Sequence, residues 1–345
     1  MNISDIDILK IRRITAQLQQ EHDRLRMKFK FLKFQNFIGL ALMILSVIGI
    51  LLSTYLWFVG AMNTFLLVLT IAFWNSILHE LEHDLIHGLY FKKVKFIHNM
   101  MLFTVWFFRP LTLNPWIRKY WHYNHHQHSG QKIDIEERGV TNGEKWGFLR
   151  LLITPDLVLG FLLRLRRLKK EIIQEKQNGN FSEKDSEKLK STVLFGMLPF
   201  GIPLHFLFYF WIILYSLSYF GLFSPTNWTS SFFEISNPVI YIFVLPNLFR
   251  QFCLHFITSN MHYYGDIEEG NILQQTQVLN RWWTWPFQLF CFNFGSTHSI
   301  HHFVVNEPFY LRQMSMKKSH QVFKQEGIRF NDTRSFKNAN HYWPK

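Results

Sequence analysis

The stretch Phe37–Phe58, FIGLALMILSVIGILLSTYLWF, runs for 22 residues without a charge and limits the fold more than any other feature. As a helix rising about 1.5 Å per residue it is long enough for the roughly 30 Å of hydrocarbon in a bilayer. It does not stand alone. A short uncharged turn leads into a second apolar run, Thr64–Leu78, which continues into His79, so a span over about 64–80 pairs with the first as a hairpin. A third run covers 193–223, with Pro199 and Pro203 predicting a kink near its start, and a fourth covers 238–257 with Arg250 and His255 near its end. The expected fold is an all-α integral membrane protein of about four transmembrane helices in two hairpins.

Charge orients those helices. Residues 1–36 carry eight Lys or Arg, and 164–190 is dense in charge, whereas Ser224 to Ser236 holds one charge, Glu234. Positive residues collect on the cytoplasmic side. Both termini and the region from Ile97 to Thr192 are therefore expected there, in a bacterial inner membrane or the endoplasmic reticulum. The net charge of +13 reads as anchorage to anionic headgroups and not as nucleic-acid binding, since no nucleic-acid motif accompanies it. No cleavable signal peptide is expected in the first 36 residues, which form an amphipathic segment at the cytoplasmic surface. Two shorter apolar stretches, Ile97 to Trp116 and Trp146 to Leu165, are broken by Arg109-Pro110, Asn114-Pro115 and Pro155-Asp156, and are expected as interfacial or re-entrant helices of a cytoplasmic cap. The chain divides into 1–36, a membrane domain over 37–312, and a cytoplasmic tail over 313–345. Cys253 and Cys291 lie far apart in apolar surroundings and offer no disulfide framework or thiolate metal site.

The histidines carry the chemistry. Of 17, ten fall in three segments that total 21 of 345 residues: His79, His83 and His87; His122, His125, His126 and His128; His298, His301 and His302. In HELEHDLIHG the imidazoles step by four along one helical stripe, and in WHYNHHQH and HSIHH they recur at i, i+3 and i+4. Each segment follows an apolar stretch at the expected cytoplasmic surface, so the cap carries the histidine boxes. That many converging imidazoles need a cation, because unpaired they would repel when protonated and be costly when buried. Eight or nine ligands exceed the four of one tetrahedral ion and call for two metals. Imidazole suits several transition metals, so spacing alone leaves the ion open.

The boxes HDLIH, HYNHH and HSIHH, in this order among hydrophobic spans, resemble those of the membrane fatty acid desaturase and hydroxylase superfamily over roughly residues 35 to 312. The resemblance implies a non-haem di-iron centre, dioxygen as co-substrate and oxidation of unactivated C–H bonds in a membrane lipid or acyl substrate. His83-Asp84 to His87-Gly88 is similar to the family's HDxxHG box. The implied ligands are His83, His87, His122, His125, His126, His298, His301 and His302, with His262 of SNMHYYGD as the further ligand between boxes two and three. His79 is an alternative or supporting ligand, because His79 and His83 in HELEH are similar to the HExxH pair of alkane monooxygenases; Asn260 and Asp266 could hold a water or orient a ring. His128 and His255 are left outside the set. Glu80, Glu82, Asp84, Asp134 and Glu307 are expected to orient imidazoles or cap helices, and Tyr263, Tyr264, Trp282, Trp283 and Trp285 to line a substrate tunnel.

The reaction implied is desaturation, with hydroxylation of a lipid, alkane or carotenoid as the alternative on the same scaffold. The sequence has no haem-binding HPGG, flavin fingerprint or cysteine iron–sulfur set, so electrons are expected from a separate ferredoxin, rubredoxin or cytochrome b5-type donor. Two rivals are weaker. A zinc protease built on His79, Glu80 and His83 leaves both HxxHH boxes unexplained, and a metal transporter requires polar residues along a transmembrane path, whereas the boxes sit at the ends of spans.

Overall fold

A computed structural model describes residues 3–224 and 226–343, and among these the regular structure is helical, with only isolated bridges such as His262 with Thr276. The chain opens with α1 (Asp5–Lys28), capped by the Ser4 hydroxyl, and enters the long apolar helix α2 (Gln35–Phe58). Asn63 caps α3 (Thr64–Ile86), accepting from the Leu66 amide at 2.9 Å, so the hairpin turn is as short as its uncharged sequence suggests. There follow α4 (Lys95–Phe107), α5 (Pro115–His128), the single turns α6 (Ile135–Gly139) and α7 (Phe148–Ile153), the amphipathic α8 (Leu157–Gln177) and α9 (Glu183–Phe195). The second half holds α10 (Gly201–Tyr219), α11 (Asn227–Val239), α12 (Leu245–Met261), the short α13 (Ile272–Gln275) and α14 (Trp285–Leu289), then α15 (Phe294–Phe303) and α16 (Phe309–Glu326).

Four segments are long and apolar enough to cross a membrane: Gln35–Phe58, Thr64–Ile86, Gly201–Tyr219 and Asn227–Met261. Their number agrees with the sequence expectation and their bounds move in three places. The second runs on to Ile86 through box one, because arginines neutralise the acidic residues it carries. The third is Gly201–Tyr219 and not 193–223, since the chain turns between Phe195 and Gly201 around Pro199. The fourth begins at Asn227, in what reads as an outer loop. Thr226 and Thr229 form a reciprocal cap there, and the helix continues past Pro238 through a π-helical turn at Ile240–Val244 that absorbs the missing amide. Two of the three breaks in the shorter apolar stretches are helix starts, Asn114 capping α5 with Pro115 in its first turn and Asp156 capping α8, while Arg109-Pro110 lies in the turn that follows α4.

Inside a bilayer, apolar burial no longer drives helices together, and close backbone approach takes its place. The buried positions of α2 are Gly39, Ser46, Gly49, Ile50 and Ser53, a stripe of mostly small residues facing α3. A Cβ on Gly49 would sit 2.1 Å from the Trp74 ring, so only glycine admits that indole. Other faces of α2 and α10 present Ile44, Ile48, Leu52, Phe206 and Ile213 outward, as lipid contact requires.

Burial of α3 changes along its length. Phe65 and Leu66 are exposed, yet from Asn75 to Ile86 every side chain is buried. This half is wrapped by α2, α4, α5, α12 and α16. It ends at His83 and His87, and α12 ends at His262, so the histidine boxes gather at one end of the helical bundle.

Candidate metal centre

Nine histidines form two neighbouring groups, within each of which one ligand nitrogen per residue lies within 4.8 Å of the others: His83, His87, His122, His126 and His301, and His125, His262, His298 and His302. Helical geometry produces this division. Side chains at i and i+4 project about 40° apart while i+3 turns away on the other flank. Each HxxHH box therefore serves both groups. His122 and His126 go to the first and His125 to the second; His298 and His302 go to the second and His301 to the first. Neither HxxHH box converges on a single point; each forms part of a wall shared by two centres. Across that wall the rings of His126 and His302 are 5.2 Å apart and those of His83 and His298 5.6 Å.

The nitrogens face each other as ligands of a cation would. Nε2 of His87 is 2.9 Å from Nε2 of His122; His126 Nε2 is 3.2 Å from both and 3.0 Å from His301 Nε2; His298 and His302 meet at 3.2 Å. Metal–nitrogen bonds of about 2.0–2.1 Å put neighbouring donors about 2.9 Å apart at right angles and about 3.3–3.4 Å apart in a tetrahedron. Five donors in the first group already exceed a tetrahedral set. Both ring nitrogens of His83 and Nε2 of His262 are buried without a partner, as ligand atoms awaiting a cation would be. The residues fit two metal ions, five imidazoles for one and four for the other.

Hydrogen bonds fix which nitrogen faces inward. His122 Nδ1 meets Glu136 and His125 Nδ1 meets Asp134, each at 2.8 Å; His262 Nδ1 donates to the Thr258 carbonyl at 3.0 Å; His302 Nδ1 lies 3.2 Å from Gln275 Oε1. Burial holds His126, His298, His301 and His302 neutral well into acid, lowers His122 against the opposing Glu136 carboxylate, lowers His262 to about 3 and lowers His87 to about 2. At His125 burial acts in the same direction, but the Asp134 carboxylate outweighs it and raises the ring to about 9. A metal on Nε2 would replace that proton and leave Nδ1–H on Asp134, the arrangement by which carboxylates strengthen ligating imidazoles. Asp134→Ala is expected to weaken metal binding about 10–100-fold, with Asp134→Asn closer to the native protein, as read by chelator competition.

Other sequence candidates lie elsewhere. His79 is outside both groups: its Nδ1 accepts from Arg109 at 3.2 Å. Asn260 accepts from Trp146 Nε1 at 2.9 Å, and Asp266 meets His341 at 2.9 Å, so neither faces the nitrogens. His128 lies beside Glu269, and His255 Nδ1 bonds the Thr154 carbonyl at 2.8 Å. The remaining histidines hold the fold together: His22 bonds Ser315, His98 the Tyr90 carbonyl, His205 the Gly201 carbonyl and His320 the Ser296 carbonyl.

The acidic residues of box one do not orient imidazoles as expected. Glu82 takes hydrogen bonds from Arg109 at 2.8 Å and Arg118 at 2.7 Å, while Asp84 at 2.9 Å and Glu80 at 3.3 Å pair with Arg312. Glu307 binds Arg26 at 2.6 Å. Asp134 does both expected jobs, also capping α6 through the Glu137 amide. Glu136 was not singled out by the sequence, although the acidic run IDIEERG close behind box two is a usable signal. Glu137, its carboxyl pushed up by burial, lies 3.5 Å from His262 Nδ1.

A cavity of about 130 Å³ opens beside His83, His122, His125 and His298. Leu113, Val140, Leu157 and Leu254 supply apolar wall, and Arg109, Arg118 and Arg250 also reach it. The expected tunnel aromatics are not part of it: Tyr263 is packed on Tyr342, Tyr264 and Trp283 pack on His341 and Phe336, and Trp282 and Trp285 are exposed on the surface.

Among known families, the model for fatty acid desaturase matches residues 60–334, which include all nine histidines and leave α2 outside. No curated protein matches the chain.

Proposed function

The chain belongs to the fatty acid desaturase family, and from that premise we propose that it is an oxygen-dependent, di-iron integral membrane enzyme that introduces a double bond into an acyl chain. The observation that carries this reading is the pair of adjoining imidazole groups, five and four nitrogens, at the side of a partly open cavity with an apolar wall. His83, His87, His122, His126 and His301 would hold one iron, and His125, His262, His298 and His302 the other. When bound, the two irons supply redox chemistry with dioxygen that side chains lack.

The protein supplies the remainder. Asp134 and Glu136 orient His125 and His122, the Thr258 carbonyl orients His262, and the leucine-lined wall keeps water from the reacting carbons. Desaturation is preferred over hydroxylation because His83 and His87 of HDLIHG share one group, whereas the HELEH pair is split, with His79 held by Arg109. The same split removes the basis for a zinc protease, and Glu80 is engaged with Arg312. The charge asymmetry of the loops supports placing the histidine end in the cytoplasm, where a separate ferredoxin, rubredoxin or cytochrome b5-type donor would meet the basic face.

Metal analysis of purified protein, with lipid profiling of cells that express it, tests this reading. Two irons per chain and a new unsaturated acyl chain are expected. A new hydroxylated chain would move the assignment to the hydroxylase branch. One zinc and an unchanged profile would defeat both.

A further inference from the structure

Arg250 lies in the membrane-spanning segment Asn227–Met261 and is 1% exposed. Among the described residues its side chain makes no ion pair and no hydrogen bond, and both Nε and Nη1 are buried without a partner. Other buried arginines are engaged: Arg109 with Glu82 at 2.8 Å, Arg138 with Glu171 at 2.6 Å, Arg164 with the Arg138 carbonyl at 2.7 Å and Arg312 with Asp84 at 2.9 Å. An ionisable side chain within a membrane span is expensive, and keeping one implies a partner. Among the described residues there is none.

The cavity offers a place for one. Arg250 lines it together with the metal-facing His83, His122 and His298. Three arginines border this space; the Glu82 and Glu136 carboxylates are taken up by Arg109, Arg118 and His122, and Glu137, the other carboxyl on the wall, lies against Thr258 and His262, so no carboxylate pairs with Arg250 among the described residues. Beside it, His79 accepts from Arg109 through Nδ1, which leaves its Nε2 as a second donor. On α12 the lining positions Arg250, Gln251, Leu254, His255 and Thr258 form one helical face about 12 Å long, leading from the guanidinium towards the histidines.

We infer that Arg250 anchors the carboxylate of the substrate, so that the cavity takes the head and first carbons of a free long-chain carboxylic acid, the rest of the chain leaving it past the imidazole groups. The inference rests on the reading of the cavity as a lipid-oxidation site and adds the class of lipid. A guanidinium fork matches a carboxylate with two parallel hydrogen bonds and cancels its charge, which an ester carbonyl or hydrocarbon cannot do. Leu113, Val140, Leu157 and Leu254 suit an alkyl chain and not a small inorganic ion.

Equilibrium binding of labelled palmitic acid, methyl palmitate and hexadecane to the metal-loaded full chain in lipid nanodiscs tests this, with empty discs subtracted. The acid is expected to bind at least about tenfold more tightly than the ester or alkane. Arg250→Met is expected to erase that advantage while leaving hexadecane unchanged, and Arg250→Lys to keep part of it. Equal binding of acid and ester to the native chain overturns the inference, and that comparison stands even if the methionine variant does not fold. An acid preference that survives in a folded Arg250→Met variant also overturns it, as does loss of acid binding when chloride replaces gluconate. Binding requires no turnover. Arg250-dependent acid binding without oxidation would sink the desaturase reading alone, and oxidation with Arg250-indifferent binding would sink this inference alone.

Discussion

His301→Ala is expected to reduce bound iron from two per chain to one or fewer and to lower lipid oxidation by more than about 100-fold, beyond the 10–100-fold typical of losing a group that only supports a ligand. The argument is local. His301 stands on box three but points across the shared wall into the first group, where its Nε2 lies 3.0 Å from His126 and its ring 4.2 Å from His83. No polar side chain bonds its Nδ1, so its ring is held by packing and by whatever occupies the centre. Truncation opens a hole among buried imidazoles that remain neutral, and four donors from boxes one and two cannot close around it. His205→Ala is the matched control. That ring is equally buried and bonds the Gly201 carbonyl, far from either group, so its loss should cost stability and leave both irons in place. Iron quantification beside product analysis reads both variants; two irons retained in His301→Ala would remove that residue from the centre.

What could be read from the sequence, and what could not, follows from the kind of signal each feature leaves. Spans announce themselves by sustained apolarity, so Gln35–Phe58 was legible nearly to the residue. The start of the fourth was hidden, because Asn227, Thr229 and Ser230 look like loop residues until Thr226 caps them. Histidine spacing marked eight of the nine residues that converge, and the family resemblance added His262, but neither told how they divide. An HxxHH pattern states which side chains share a helix surface, and only the neighbouring helices decide that i+3 faces a different centre from i and i+4. Least legible were the arginines. Counted by loop, Arg109 and Arg118 belong to a positive-inside tally; in the fold both turn inward to Glu82, and Arg118 reaches Glu136 as well. Long-range charge pairing leaves no periodic trace. Residues 27 and 228 positions apart in sequence, as with Glu82 to Arg109 and Asp84 to Arg312, meet only in three dimensions.

That last pair sets up the other large effect: Arg312→Ala is expected to destabilise the protein by about 3–5 kcal/mol, the usual penalty for removing one partner of a buried ion pair. Arg312 sits on α16 at 1% exposure and donates to Asp84 at 2.9 Å and Glu80 at 3.3 Å, both on the fully wrapped half of α3. Asp84 does more than neutralise it. Its Oδ2 also accepts from the Tyr90 hydroxyl at 2.8 Å and from the Phe309 amide at 2.9 Å, tying the start of α16 to box one between His83 and His87. Without the guanidinium two carboxylates remain in a dry site with no cation, and the cheapest escape is for α16 to lift away from α3. The unfolding midpoint in detergent titration should therefore fall together with iron retention. Adding Glu80→Gln and Asp84→Asn to Arg312→Ala removes the stranded charge and should recover part of the loss. The two effects would then be non-additive, as expected for residues in one network. Full additivity would mean that the arginine contributes by packing and not by charge.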